Sequence, residues 1–158
     1  MDEDILDATV WIQYAQGDYA NAKTLANARA ENPYAPNGAC FHCQQCAEKA
    51  FKAYMIAKDG KRTKEHDLNA LRKRCESYNP EFHVLKVASA ALDEYKTKSR
   101  YPSDKKITEE DMDDALKYAH EVLLFTKSKL KELGYEVTLE QNNRQTPPYI
   151  KEGRGGVK

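Results

Sequence analysis

Apolar residues recur along this chain every three or four positions, and nowhere every two for long enough to make a core strand. A chain with that single period packs helix against helix, because each amphipathic helix buries one stripe and needs a neighbouring stripe to cover it. Ala8, Trp11, Ile12, Ala15, Tyr19, Ala22, Leu25 and Ala26 mark a first helix from Asp4 to about Ala30. Gly17 weakens its middle by roughly 1 kcal/mol relative to Ala. The two prolines and the glycine of residues 32–38 predict a loop. A second helix follows from about Ala39 to Lys58, with Cys40, Cys43, Cys46, Ala47, Ala50, Phe51, Tyr54 and Ala57 as its stripe and Gly60 as its stop.

Leu68, Leu71, Cys75 and Tyr78 mark a short third helix. Asn79-Pro80-Glu81 opens a fourth: Asn caps, Pro takes the first helical position and Glu complements the dipole. Leu85, Ala88, Leu92 and Tyr95 carry it to about Thr97. Thr108-Glu109-Glu110-Asp111 opens the last by the same chemistry, with Met112, Ala115, Leu116, Ala119, Val122, Leu123 and Leu130 as its stripe and Gly134 as its end. Five helices with short connections predict an all-α antiparallel bundle over residues 1–135. Residues 136–158, polar and holding Pro147-Pro148 and a Gly-rich end, predict a tail that adds little core.

Charge bounds the function. The 25 basic and 25 acidic residues cancel, which argues against coating nucleic acid by bulk charge, so any anion site must be a local cluster. Lys96, Lys98, Arg100, Lys105 and Lys106 form the best such cluster. The mean hydropathy of −0.84 and the 32% charged residues give well-solvated faces. No apolar run approaches the ~20 residues needed to span a bilayer. The acidic start Met1-Asp2-Glu3-Asp4 is unlike a signal peptide, so a cytoplasmic location is expected. There, cysteines stay reduced. Cys40, Cys43 and Cys46 could ligate a metal together with Cys75, but they coincide with the core stripe, and reduced cysteine packs as a small apolar residue. No metal or cofactor is expected.

Four segments then resemble one family. Trp11, Asp18-Tyr19 and Ala22 come first. Next, Gln45, Ala47, Glu48, Lys49, Lys52 and Ala53 are similar to a Gln-x-Ala-Glu-Lys-x-x-Lys-Ala core. His66-Asp67-Leu68 with Leu71, and Arg100-Tyr101-Pro102, complete the set. Together, over about residues 8 to 130, they resemble the HEPN family, the higher-eukaryote and prokaryote nucleotide-binding domain. The resemblance implies a bundle of four or five helices, often a homodimer, that binds a nucleotide or RNA. It also implies a partner protein such as a small nucleotidyltransferase, in a toxin–antitoxin or substrate-binding pair. An alanine-rich core with aromatic residues on more than one face also predicts a homodimer.

The resemblance places nucleotide binding on Lys49, Lys52, His66, Arg100 and Tyr101. The physical alternatives are a solvated, salt-bridged face for the two lysines and a structural loop anchor for Arg100. Asp67 reads as a helix cap, and Trp11 and Tyr19 as core or dimer interface rather than a base platform. Members of the family that are metal-independent ribonucleases carry Arg, four to six residues, then His. Here Arg62 precedes His66 with three residues between them, Arg74 precedes His83 with eight, and Arg100 is far from His120. Binding is therefore the leading expectation, with Arg62 and His66 as the catalytic candidates of the alternative: a ribonuclease with a non-standard Arg/His site. A purely structural interaction bundle is the third.

Overall fold

The computed structural model describes residues 6–102 and 106–138. Its elements are helices α1 (Ala8–Asn27), α2 (Ala35–Asp59) and α3 (Leu68–Tyr78), a 3₁₀ turn (Pro80–Leu85), and helices α4 (Lys86–Asp93), α5 (Tyr95–Lys98) and α6 (Glu109–Glu132). There is no strand among the described residues, and no described helix is long and apolar enough to cross a membrane.

Helix α2 is the centre. It packs against α1 and α6 along its length and against α3, α4 and α5 at its flanks. Ala39, Cys40, Cys43, Cys46, Ala47, Ala50 and Ala53 are all buried on it, and these small side chains let its neighbours come close. Phe51 and Tyr54 meet Phe82 at ring-centroid distances of 6.3 and 4.5 Å, and Phe82 meets Phe125 at 5.0 Å, which joins α2 to the 3₁₀ turn and α6. Burying such apolar area at roughly 25 cal/mol per Å² is the main force for folding.

Local signals set most helix ends. Asp7 caps α1 by accepting the Thr9 amide at 2.9 Å, three residues later than the predicted start at Asp4. Asp67 caps α3 through the Ala70 amide at 3.0 Å, as predicted. Thr108 and Asp111 form a reciprocal capping box at the start of α6. Gly60 and Gly134 follow α2 and α6 at φ +65° and +100°, a region that favours glycine.

Two expectations are corrected. Helix α2 begins at Ala35, not Ala39, so Pro36, Asn37 and Gly38 form its first turn rather than a loop. Proline costs nothing there because that amide has no partner in a helix anyway. A Cβ at Gly38 would lie 2.9 Å from Leu25 Cδ1, so the glycine lets α1 and α2 approach without moving that leucine. The fourth helix is also not continuous. Phe82 and Leu85, three apart, are both fully buried, and a 3₁₀ turn eclipses residues at that spacing while an α-helix would splay them. The chain then continues as α4 and α5, with a break at Glu94.

All four cysteines are buried and free. Burial pushes the Cys40 thiol up to about 12 and those of Cys43, Cys46 and Cys75 up as well. Among the described residues no group of three His, Cys, Asp or Glu side chains is placed to hold a metal ion. Tyr135 and Val137 still pack on the core, and the predicted tail beyond residue 138 lies outside the described residues.

Two measurements check this packing. The four thiols should resist Ellman's reagent at pH 8 in native protein and react fully in denaturant, because the thiolate is the nucleophile and a raised pKa withholds it. Gly17 is exposed in mid-helix with nothing within 4 Å of an added Cβ. Gly17→Ala should therefore stabilise the fold by about 1 kcal/mol in urea denaturation.

Candidate functional site

One face of α2 is polar although its surroundings are apolar. Phe41, Gln45, Glu48, Lys49 and Lys52 succeed one another at helical spacing and form the floor of a cavity of about 640 Å³. Trp11 of α1 closes one side, and His66, just before α3, another. Lys96 and Thr97 of α5, with Arg100 beyond it, form the opposite wall.

Two nearly buried carboxylates organise the floor. Glu48 is 6% exposed, and its Oε2 takes hydrogen bonds from Lys52 Nζ at 3.0 Å and His66 Nδ1 at 2.7 Å. Its Oε1 accepts from Gln44 Nε2 at 3.4 Å and Gln45 Nε2 at 3.5 Å. Asp18 is 7% exposed and holds Lys49 Nζ at 2.5 Å and His42 Nδ1 at 2.9 Å. A buried carboxylate needs such partners to stay ionised, and each partner is fixed in return. Lys52 Nζ also lies 5.7 Å from the centre of the Trp11 ring, a cation–π contact.

The backbone places the remaining groups. Glu65 Oε2 accepts the amides of His66 and Asp67 at 3.1 and 3.0 Å. Asp93 Oδ1 accepts the Leu68 amide at 2.9 Å, which ties the start of α3 to the end of α4. These bonds hold the His66 ring against Glu48. Arg100 Nε donates to the Lys96 carbonyl at 2.9 Å, and its guanidinium lies 5.6 Å from the Phe41 ring and 5.4 Å from the Tyr101 ring. Asn37 Nδ2 reaches the Ser99 carbonyl at 3.4 Å and links this arm to the first turn of α2.

Four of the five predicted binding residues, Lys49, Lys52, His66 and Arg100, thus meet in one cavity. Tyr101 does not line it: its ring is exposed and packs beside Arg100. Arg62 sits in a neighbouring notch with Trp11, Lys52 and Lys61, whereas His66 lines the large cavity. Of the basic cluster, Lys96 and Arg100 face the cavity, Lys98 lies 3.9 Å from Glu94, and Lys105 is outside the described residues. Trp11 is core, as expected, and also a cavity wall. Asp18, His42, Phe41 and Thr97 were not anticipated as site residues. The recurrence of Phe41, Gln45, Glu48-Lys49 and Lys52 at three- and four-residue steps was the available signal for the floor.

The cavity therefore presents four cations, Lys49, Lys52, Lys96 and Arg100, and one lining carboxylate, Glu48, beside two aromatic rings. It can hold a phosphate by charge and hydrogen bonds, and a flat ring by contact with Trp11 or Phe41. The His66 ring, held by a carboxylate, can also accept or release a proton there.

Comparison with known proteins agrees with this architecture. The HEPN domain matches residues 8–130. The structure is similar to that of TT1696 from Thermus thermophilus, with 26% identity, a TM-score of 0.62, and coverage of 77% of this chain and 97% of that one. It is also similar to ST0689, an archaeal HEPN homologue, with 28% identity, a TM-score of 0.60, and coverage of 78% and 98%. No curated protein matches. The chain belongs to the HEPN family, which supports a nucleotide- or RNA-related role.

Glu48 is the side chain on which this geometry turns. Glu48→Ala leaves the ammonium of Lys52, whose side chain is 3% exposed, buried without its carboxylate. Breaking a buried pair in this way costs about 3–5 kcal/mol. Replacing both, as Glu48→Gln with Lys52→Met, should restore most of the loss in thermal denaturation.

Proposed function

We propose that this HEPN-family protein binds a phosphate-bearing ligand, a nucleotide or RNA, in the cavity over α2. In this reading it is a cytoplasmic homodimer that works with a partner such as a small nucleotidyltransferase, in a toxin–antitoxin or substrate-binding pair. The observation that carries the binding reading is a cavity lined by four cations and one carboxylate in a chain whose charges cancel overall. Lys49 and Lys52 supply charge from the floor, and Arg100 supplies a planar fork from the wall. Trp11 and Phe41 offer the base an apolar surface.

A second reading rests on a separate observation, the 2.7 Å contact between His66 Nδ1 and Glu48. A carboxylate that orients an imidazole is the arrangement of a general base. In RNA the other ring nitrogen would take the 2′-OH proton while O2′ attacks phosphorus. The P–O5′ bond then breaks, and the leaving oxygen takes a proton from the ring or from water. Cleavage of RNA in the presence of chelator, lost in His66→Ala, would establish this activity. RNA that stays intact while bound would leave binding alone.

Trp11 is the chain's one tryptophan and lines the cavity, so its emission should report a ligand directly. Arg100→Ala should weaken binding at least tenfold, since a charge-assisted hydrogen bond contributes about 1.5–3 kcal/mol. Its melting temperature should change little because Arg100 is exposed. Unchanged affinity with a large fall in melting temperature would make Arg100 a structural anchor and remove it from the site. Affinity should also fall as salt rises. Light scattering at micromolar concentration should give twice the 18.0 kDa chain mass, and a clean monomer there would refute the dimer.

A further inference from the structure

On its solvent side, helix α1 carries a second depression that adjoins the Asp18–Lys49 ion pair. It holds about 330 Å³ and is lined by Gln13, Tyr14, Gly17, Asp18, Asn21 and Lys49. Lys49 lines the large cavity as well, so one side chain is common to both spaces. Tyr14 is 51% exposed, so part of its ring faces solvent at the edge of this depression. A Cβ at Gly17 would meet nothing within 4 Å, so the missing side chain is itself part of the hollow. Gln13 and Asn21 are exposed and bring amide donors and acceptors to its rim. The Asp18 carboxylate is already paired with Lys49 and in hydrogen-bond contact with the His42 ring.

An exposed ring, two amides and a shared cation match the chemistry of single-stranded nucleic acid, in which bases stack on aromatic faces and the backbone follows positive charge. A lone nucleotide seated beside Trp11 would leave the second depression empty. We infer that the two depressions are successive subsites for a single-stranded oligonucleotide. One nucleotide lies in the cavity beside Trp11 and Phe41, the joining phosphate passes over Lys49, and the next base stacks on Tyr14. This rests on the phosphate-binding reading of the cavity and specifies its ligand as a strand rather than a free nucleotide.

The test compares adenosine 5′-monophosphate with the 5′-phosphorylated adenosine dinucleotide, titrated into the full chain and followed by Trp11 emission. The dinucleotide should bind about tenfold more tightly or better, and Tyr14→Ala should remove that gain while leaving mononucleotide affinity unchanged. The added phosphate raises charge equally in both proteins, so a gain that survives Tyr14→Ala comes from charge and overturns the stacking subsite. Gly17→Leu fills the hollow from an exposed helix position and should bring the dinucleotide down to the mononucleotide's affinity without loss of folding. Equal affinity for the two ligands in the unmodified protein also overturns the inference, and leaves the cavity reading intact. If neither ligand binds, in Trp11 emission or in calorimetry of the same samples, both readings fall together.

Discussion

Along its middle, helix α2 is enclosed by protein. From Cys43 to Met55 only Gln45 and Lys49 keep partial exposure, and every other residue in that stretch is buried. A helix covered by neighbours on most of its circumference ought to be apolar all round. This one instead carries Gln44, Glu48 and Lys52 inward. Their polar atoms must find partners within the protein, and the search for those partners draws in Trp11 from α1 and His66 from the start of α3. The cavity is thus a consequence of where the central helix puts its charges.

The fold was legible because helical period and end signals are local. The caps at Asp67, Asn79 and Thr108 and the glycines after α2 and α6 can each be read within a few residues. The two corrections come from tertiary packing. Pro36 and Gly38 look like loop residues until α1 is laid against α2, when the first turn tolerates the proline and Leu25 occupies the space that a side chain at residue 38 would fill. The 3₁₀ turn exists because Phe82 and Leu85 both reach the core from positions three apart.

The site was legible in part, for the same reason. Lys49, Lys52, His66 and Arg100 lie in short local motifs. Asp18 and Thr97 belong to the site through packing that brings α1 and α5 onto α2, and no spacing along the chain records that. Tyr101 stands next to Arg100 in sequence yet outside the cavity, since neighbouring residues at the end of a helix point in different directions.

A neutral chain can still present a strongly biased cavity, because screening limits surface charge to about 8–10 Å at moderate salt and only nearby groups count. Acidic residues gather elsewhere: Glu109, Glu110 and Asp111 in the first turn of α6, with Asp113 beside them bonded to Arg29. Within the cavity the bias is restrained. Lys52 is already committed to Glu48 and Lys49 to Asp18, so a phosphate must compete with a carboxylate for each. Such pairing lowers the gain from charge alone, but it fixes each ammonium before a ligand arrives and avoids the side-chain entropy of ordering a free lysine. Lys96 and Arg100 differ. Lys96 is 3.7 Å from Asp93, a long contact, and Arg100 is held by a backbone carbonyl and two aromatic rings. The arm from α5 therefore carries the charge least committed to the protein itself, while the floor supplies position.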